Sequence, residues 1–371
     1  MAQLMLFLAP VLAATSAAAG LGVPLKRGWN LGNTLDVTDP WHCTHPPFAG
    51  RPDAKWVFES VAAAGFDWAR IPTHWDCHVA KTAPFAVDPA FMAQLNTTVG
   101  WALTHGLRVM VNTHHENSWV EGAWNSTANS TKAKIAVALP RLVAIWDQIA
   151  THFSSFPDDR LVFELFNEPK AMTVVELNTM NNALLPVIRR TNPTRQVHLG
   201  GLAQMGVGWI ISHPDAMDFR ADDKNLALTV HSYDPWKFAG SSGPPPSHAP
   251  PEHTFDPAGA YKVMGELKAW SDKHNIPVYH DEFGCVTMQT NRTARLEYYV
   301  AYSKAAEQNG VGWAIWDDDG WWKTLNRTGD RTWDADVLKA LGMPTGHAGR
   351  EQQGQEQEND GDASVNIRKS A

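Results

Sequence analysis

Cysteine is scarce in this sequence. Three residues in 371 cannot all pair within one chain, and none shows metal-ligand spacing, so neither a disulfide scaffold nor a structural zinc site accounts for the fold. Positive charge is also in deficit: 31 Lys and Arg stand against 39 Asp and Glu, a formal net charge of -8. That balance disfavours a phosphate backbone or an anionic membrane as partner and leaves a neutral polymer compatible. Apolar runs of membrane-spanning length are missing too. The longest, LMLFLAPVLAA within Met1–Ala19, is too short to cross a bilayer and ends in small residues at Ser16–Ala19, so it reads as a cleavable export signal despite its missing basic n-region.

Tryptophan is what the sequence has in excess, 17 residues against six Tyr, and such rings serve either a core or a flat ligand such as a sugar. Five Asn-x-Ser/Thr triplets, at Asn96, Asn125, Asn129, Asn291 and Asn326, fit a glycosylated, secreted and extracellular protein. Under export, Cys43 and Cys77 are the expected disulfide, both lying in loops after neighbouring strands, while Cys285 follows a buried strand and is expected to stay a small apolar residue.

From about Lys26 to Met343 short β-rich runs alternate with helical patterns, the signature of βαβ units around a parallel sheet. Eight strands are expected: RGWNLG from Arg27, DWARIP from Asp67, LRVMVNT from Leu107, LVFELF from Leu161, QVHLGG from Gln196, LALTVHS from Leu226, IPVYHDE from Ile276 and VGWAIW from Val311. Several are continuous apolar runs, as strands buried on both faces require. The fold class is therefore α/β, a (β/α)8 TIM barrel in one catalytic domain over 20–344, after a signal peptide at 1–19 and before a disordered tail at 345–371. The first helix is expected to start near Asp53 and stop at Gly65, and the Pro-, Gly- and Ser-rich stretch 239–254 reads as a long exposed loop.

Polar residues recur at the carboxyl ends of these strands, where barrel enzymes assemble their sites. They are Asn33, Arg70, His114, His115, Asn167, Glu168, His231, Tyr233, Glu282 and Trp316. Glu168 and Glu282, on the fourth and seventh strands, are a carboxylate pair of the kind that cleaves glycosidic bonds, one protonated to donate and the other ionised to attack. Tyr233 or Arg70 is placed to hold Glu282 charged, apolar surroundings and the second charge are expected to raise the proton affinity of Glu168, and Asn167 suits a sugar 2-hydroxyl. Metal catalysis is the weaker reading: His114, His115, His231, Glu168 and Asp281 are ligand types, but adjacent histidines on a strand point to opposite faces.

In this order the segments GWNLGNTLD, RIPTHW, VNTHHE, LFNEP, HSYDPW, DEFG and WAIWDDDGWW resemble glycoside hydrolase family 5, the cellulase family, and the opening and closing segments are most similar to its endoglucanase branch. The resemblance implies a retaining hydrolase without metal or cofactor acting on β-1,4-glucan, with β-mannan, xyloglucan or β-1,3-glucan as alternative substrates and a non-catalytic glucan-binding barrel as another class, and the chain is expected to be a monomer. It implies Glu168 as acid/base and Glu282 as nucleophile, Arg70 supporting Glu282, His114 and Asn167 lining the cleavage subsite, His231 and Tyr233 flanking the glutamates, and Trp316 as the floor under the sugar ring. The sequence departs from the family at Asp281, where Gly is usual, at Asp317–Asp319, and in the Pro-rich loop. Trp75, Trp119, Trp124, Trp236, Trp321 and Trp322 fall in barrel-top loops and are candidate sugar platforms.

Overall fold

The computed structural model describes residues 22–37, 55–121, 131–240 and 252–345. The expectations for the export signal, Cys43, Asp53, Trp124, Asn125, Asn129, most of the Pro-rich stretch and the tail beyond Thr345 lie outside these residues. Eight parallel strands close into a barrel in sequence order: β1 (Arg27–Asn30), β2 (Trp68–Ile71), β3 (Arg108–Asn112), β4 (Leu161–Glu164), β5 (Val197–Gly200), β6 (Leu226–Ser232), β7 (Val278–Phe283) and β8 (Gly312–Ile315). Seven fall inside the segment expected to hold them, and β7 runs one residue past its segment, to Phe283. Helices that include Lys55–Ala63, Pro89–Thr104, Thr131–His152, Val174–Arg189, Ala258–His274 and Arg292–Gln308 separate them. Gly65, at φ +93, ends the first of these, a conformation that suits a residue without a Cβ.

The two-residue alternation of the strands sorts their side chains into two cores. Outward residues such as Trp29, Phe163, Leu199, Val230 and Trp313 pack under the helices in the large cluster. Inward residues Trp68, Met110, Val162, Ala227, Tyr279 and Ala314 form a separate cluster that plugs the barrel from below. Two residues further along, the same inward positions turn polar: Arg70, Asn112, Glu164, Thr229 and Asp281 are all fully buried. Asn30 on β1 and His198 on β5 join this layer, and the apolar plug thus serves as the floor of a polar chamber.

Regularity breaks at one place. Val230 pairs with His280, yet the next residue, His231, pairs with Glu282, and on the other side His280 pairs with Trp313 while Phe283 pairs with Ile315. β7 therefore carries one extra residue, a β-bulge at Asp281–Glu282. Strict alternation would send Glu282 outward with His280. The bulge lets Asp281 and Glu282 both face the chamber.

Candidate active site

Arg70 organises the chamber. Its Nε and Nη2 donate to Glu164 Oε2 and Oε1 at 2.6 and 2.8 Å, Nη2 also donates to Asn167 Oδ1 at 2.7 Å, and Nη1 donates to Asn30 Oδ1 at 3.0 Å and Glu282 Oε2 at 2.9 Å. A planar fork with five fixed N–H groups can serve that many acceptors at once, whereas an ammonium cannot. Glu282 also accepts from the Tyr233 hydroxyl at 2.8 Å, so each of its oxygens has a donor.

Glu168 sits in the loop after β4 with left-handed backbone, φ +50. Its Oε1 lies 3.0 Å from His231 Nδ1, and its Oε2 accepts from Gln204 at 3.2 Å. Gln204 belongs to a left-handed turn, Ala203–Met205, with φ between +55 and +59, and Met205 sulfur receives the Glu168 N–H. Asn33, His115 and Asp319 also have positive φ at strand ends. Strain of this kind concentrates where side chains are aimed at a site.

One oxygen each from Glu168 and Glu282, together with a His231 nitrogen, lie within 4.8 Å of one another. Two carboxylates that close fit direct attack on a sugar carbon and leave no room for a water between them, which needs a gap of about 6.5 Å or more. They also compete for one proton. Burial and the Glu168 charge raise the Glu282 carboxyl, against the pull of His231 and Arg70. Burial would raise Glu168 as well, but the hydrogen bond and charge of His231 outweigh it and hold Glu168 below its ordinary value. The expectation that apolar surroundings raise Glu168 is corrected by that imidazole. Burial opposes the proton on His231, and the carboxylates of Glu282, Asp281 and Glu168 more than reverse this, holding the ring well above its ordinary value.

His114 is the opposite case. Burial, then the neighbouring His115 and Arg70, keep it neutral. Its Nδ1 faces the Asn112 amide at 3.1 Å, so Nδ1 accepts and Nε2 carries the hydrogen. The ring lies parallel to Trp316, centroids 5.8 Å apart and planes 5° off. A Cβ on Gly32 would stand 2.7 Å from the Trp316 ring, so glycine is what allows the indole to lie there. Asn167, buried with its carbonyl taken by Arg70, keeps an amide N–H for a hydroxyl. All eight site residues expected from the sequence thus converge on one chamber. Glu164, Asn30, Asn112 and Gln204 were not anticipated. The first three are single polar residues inside apolar strands, a signal open to sequence reading, because a buried charge or amide needs a partner.

Two further expectations are corrected. His114 and His115 do not point apart: His115 has φ +58, and the rings lie edge to face with centroids 4.3 Å apart, close to Asp36. Trp75 is no platform, being fully buried against Phe91 with its indole N–H on the Asn112 carbonyl. Trp119 is half-buried under the Arg141 guanidinium. Trp236 and Trp321 are exposed at 53% and 41%, and with Trp322 they form an aromatic rim that meets Tyr233. Among the described residues, three groups place ligand-type atoms together: Asp36–His114–His115, Glu164–His231–Asp281 and Glu168–His231–Glu282. In the last two the Arg70 guanidinium already supplies the cation.

The family model of the cellulases, glycosyl hydrolase family 5, matches residues 33–321. The chain belongs to glycosyl hydrolase family 5. Among its relatives, endoglucanase H of Acetivibrio thermocellus is 32% identical over 335 residues, covering 86% of this chain and 33% of the relative. This chain thus spans about a third of that protein. Endoglucanase A of Ruminococcus albus is 26% identical over 320 residues, 81% of this chain and 84% of the relative. A solved hyperthermophilic endo-beta-1,4-glucanase in complex with substrate superposes with a TM-score of 0.73 at 26% identity, covering 86% and 97% of the two chains. In this family 5 barrel the run Asp317–Asp319 holds a loop together. Asp317 accepts from the Thr324 and Leu325 amides, Asp318 from those of Gly320, Trp321 and Trp322, and Asp319 from that of Arg327. The same chain has Cys77 in a disulfide and Cys285 free and buried.

Proposed function

We propose that this chain is a retaining endo-β-1,4-glucanase that uses Glu282 as nucleophile and Glu168 as acid/base. The observation that carries this reading is the approach of the two carboxylates within 4.8 Å. Glu282 attacks the anomeric carbon as the glycosidic C–O bond breaks, and Glu168 gives its proton to the departing oxygen. In the second step Glu168 takes a proton from water, the water oxygen bonds to the same carbon, and the ester to Glu282 breaks. Arg70 and Tyr233 steady Glu282, Asn167 and the Nε2–H of His114 bind sugar hydroxyls, His231 holds Glu168, and Trp316 stacks under the ring. The relatives named endoglucanases and the solved endo-beta-1,4-glucanase favour β-1,4-glucan as substrate. We also propose that the protein is exported, since disulfides such as that of Cys77 belong to oxidising compartments.

The test is hydrolysis of carboxymethyl cellulose, lichenan, xyloglucan, mannan and laminarin side by side. Carboxymethyl cellulose and lichenan are expected to lose viscosity and release short oligosaccharides. Faster attack on mannan, xyloglucan or laminarin would replace the proposed substrate, and no hydrolysis of any of them would remove the enzymatic reading.

A further inference from the structure

Asp281, next to Glu282 in the chain, is completely buried. The bulge in β7 turns its carboxylate inward just below Glu282. There Oδ1 lies 3.4 Å from His231 Nε2 and Oδ2 lies 3.6 Å from Arg70 Nε. The opposite nitrogen of the same imidazole, Nδ1, lies 3.0 Å from Glu168 Oε1. His231 thus stands between two carboxylates, in hydrogen-bond contact with Glu168 at Nδ1 and at ion-pair distance from Asp281 at Nε2, where no hydrogen bond is formed.

Charge balance gives this arrangement its meaning. Among the described residues, Arg70 is the one permanent cation paired with these carboxylates, meeting Glu164, Asp281 and Glu282 at once. Glu168 is a fourth carboxylate. Three buried acids and a half-buried fourth cannot all be ionised against one guanidinium without further protons. The remaining titratable groups around the ring are His114 from the loop after β3 and His280 on β7, both kept neutral by burial, with His280 down at about 3. His198 on β5 faces Asp281 and is likewise held down by burial, to about 4. The balancing proton is thus held among His231, the Glu168–Glu282 pair and Glu164, whose carboxyl burial also raises.

We propose that Asp281 is a positioning residue, anchoring the Nε2–H of His231 so that Nδ1 always faces Glu168 and Asp281, His231 and Glu168 share one proton along a line. The inference rests on the hydrolase reading above and adds a proton store to it. The shared proton rests on His231 Nδ1; as the glycosidic C–O bond breaks it passes through Glu168 to the leaving oxygen, which leaves His231 neutral and Glu168 ionised, and in the second step the proton that Glu168 takes from water returns to Nδ1. The logic matches the buried aspartate that fixes the tautomer of a catalytic histidine in hydrolytic triads.

The test compares pH profiles of wild type and Asp281→Asn on phenyl β-cellobioside, a poor leaving group that needs the acid. Removing the anion beneath His231 lets the shared proton leave sooner, so the alkaline limb of kcat/KM is expected to move to lower pH by about one unit. A fall in rate by one constant factor at every pH would mean that Asp281 only packs, and would overturn the proposal. If the asparagine variant does not fold, Asp281→Gly supplies the same comparison. Nitrogen-15 NMR of the His231 ring gives a readout independent of turnover: wild type is expected to hold both ring protons to higher pH than either variant, and superimposable titrations would contradict the role. A wild type that hydrolyses no glycan but shows the shifted titration would overturn the hydrolase reading alone.

Discussion

Nη1 of Arg70 lies 2.9 Å from Oε2 of Glu282, and the guanidinium that makes this contact is wholly out of reach of solvent. Because the same group grips Glu164 with two further bonds, the position of Glu282 on β7 is set by β2 and β4. The carboxylate is steered by a frame that spans the barrel, and burial raises the strength of each charged contact in it.

Arg70→Lys tests that frame. Lysine keeps the charge but loses the fork, leaving Glu164 or Glu282 incompletely paired in the interior. Stability is expected to fall by about 2–4 kcal/mol and kcat/KM by at least about a hundredfold. Urea unfolding alongside steady-state kinetics measures both, and a variant within about 1 kcal/mol of wild type would contradict the network.

Glu168→Gln separates proton donation from attack. On cellulose oligosaccharides the variant is expected to lose about three orders of magnitude or more in kcat. On dinitrophenyl β-cellobioside, whose leaving group needs no proton, bond cleavage itself is expected to fall far less, with the glycosyl-enzyme accumulating as a burst. Equal losses on both substrates would remove Glu168 from the donor role.

The eight strands could be read from the sequence because strands buried on both faces are rich in apolar residues, and most are followed by a polar residue at the carboxyl end. The eight candidate residues that share the chamber stand at or just beyond those strand ends. Asp281 could not be placed, because an inserted residue in a strand shifts facing without changing composition. His115 was misplaced for a related reason: its left-handed φ is not marked by a glycine. Trp75 reads like its neighbours in the barrel-top loops, and only its contacts with Phe91 and Asn112 assign it to packing.

Acid should destabilise the fold through histidines buried without charge. His74 and His280 are each lowered to about 3, and His198 to about 4, by burial. Folded values below the unfolded 6.5 mean that the unfolded chain binds more protons in between, so stability is present above about pH 6.5 and is lost as pH falls toward 3–4. His280 is the clearest probe, because both its nitrogens lack partners and its ring stacks on Phe283 at 4.9 Å. His280→Phe is expected to raise the melting temperature, more at pH 5 than at pH 8. A gain that does not depend on pH would mean that His280 is not the titrating group.

The pairing of Glu168 with Glu282 is tested most directly by trapping the covalent intermediate. Incubation with a 2-deoxy-2-fluoro-cellobioside bearing a good leaving group, followed by peptide mass spectrometry, is expected to find the sugar esterified to Glu282, with NMR of the earliest natural products showing the β-anomer. An inverted product, or a label on any other residue, would contradict the account.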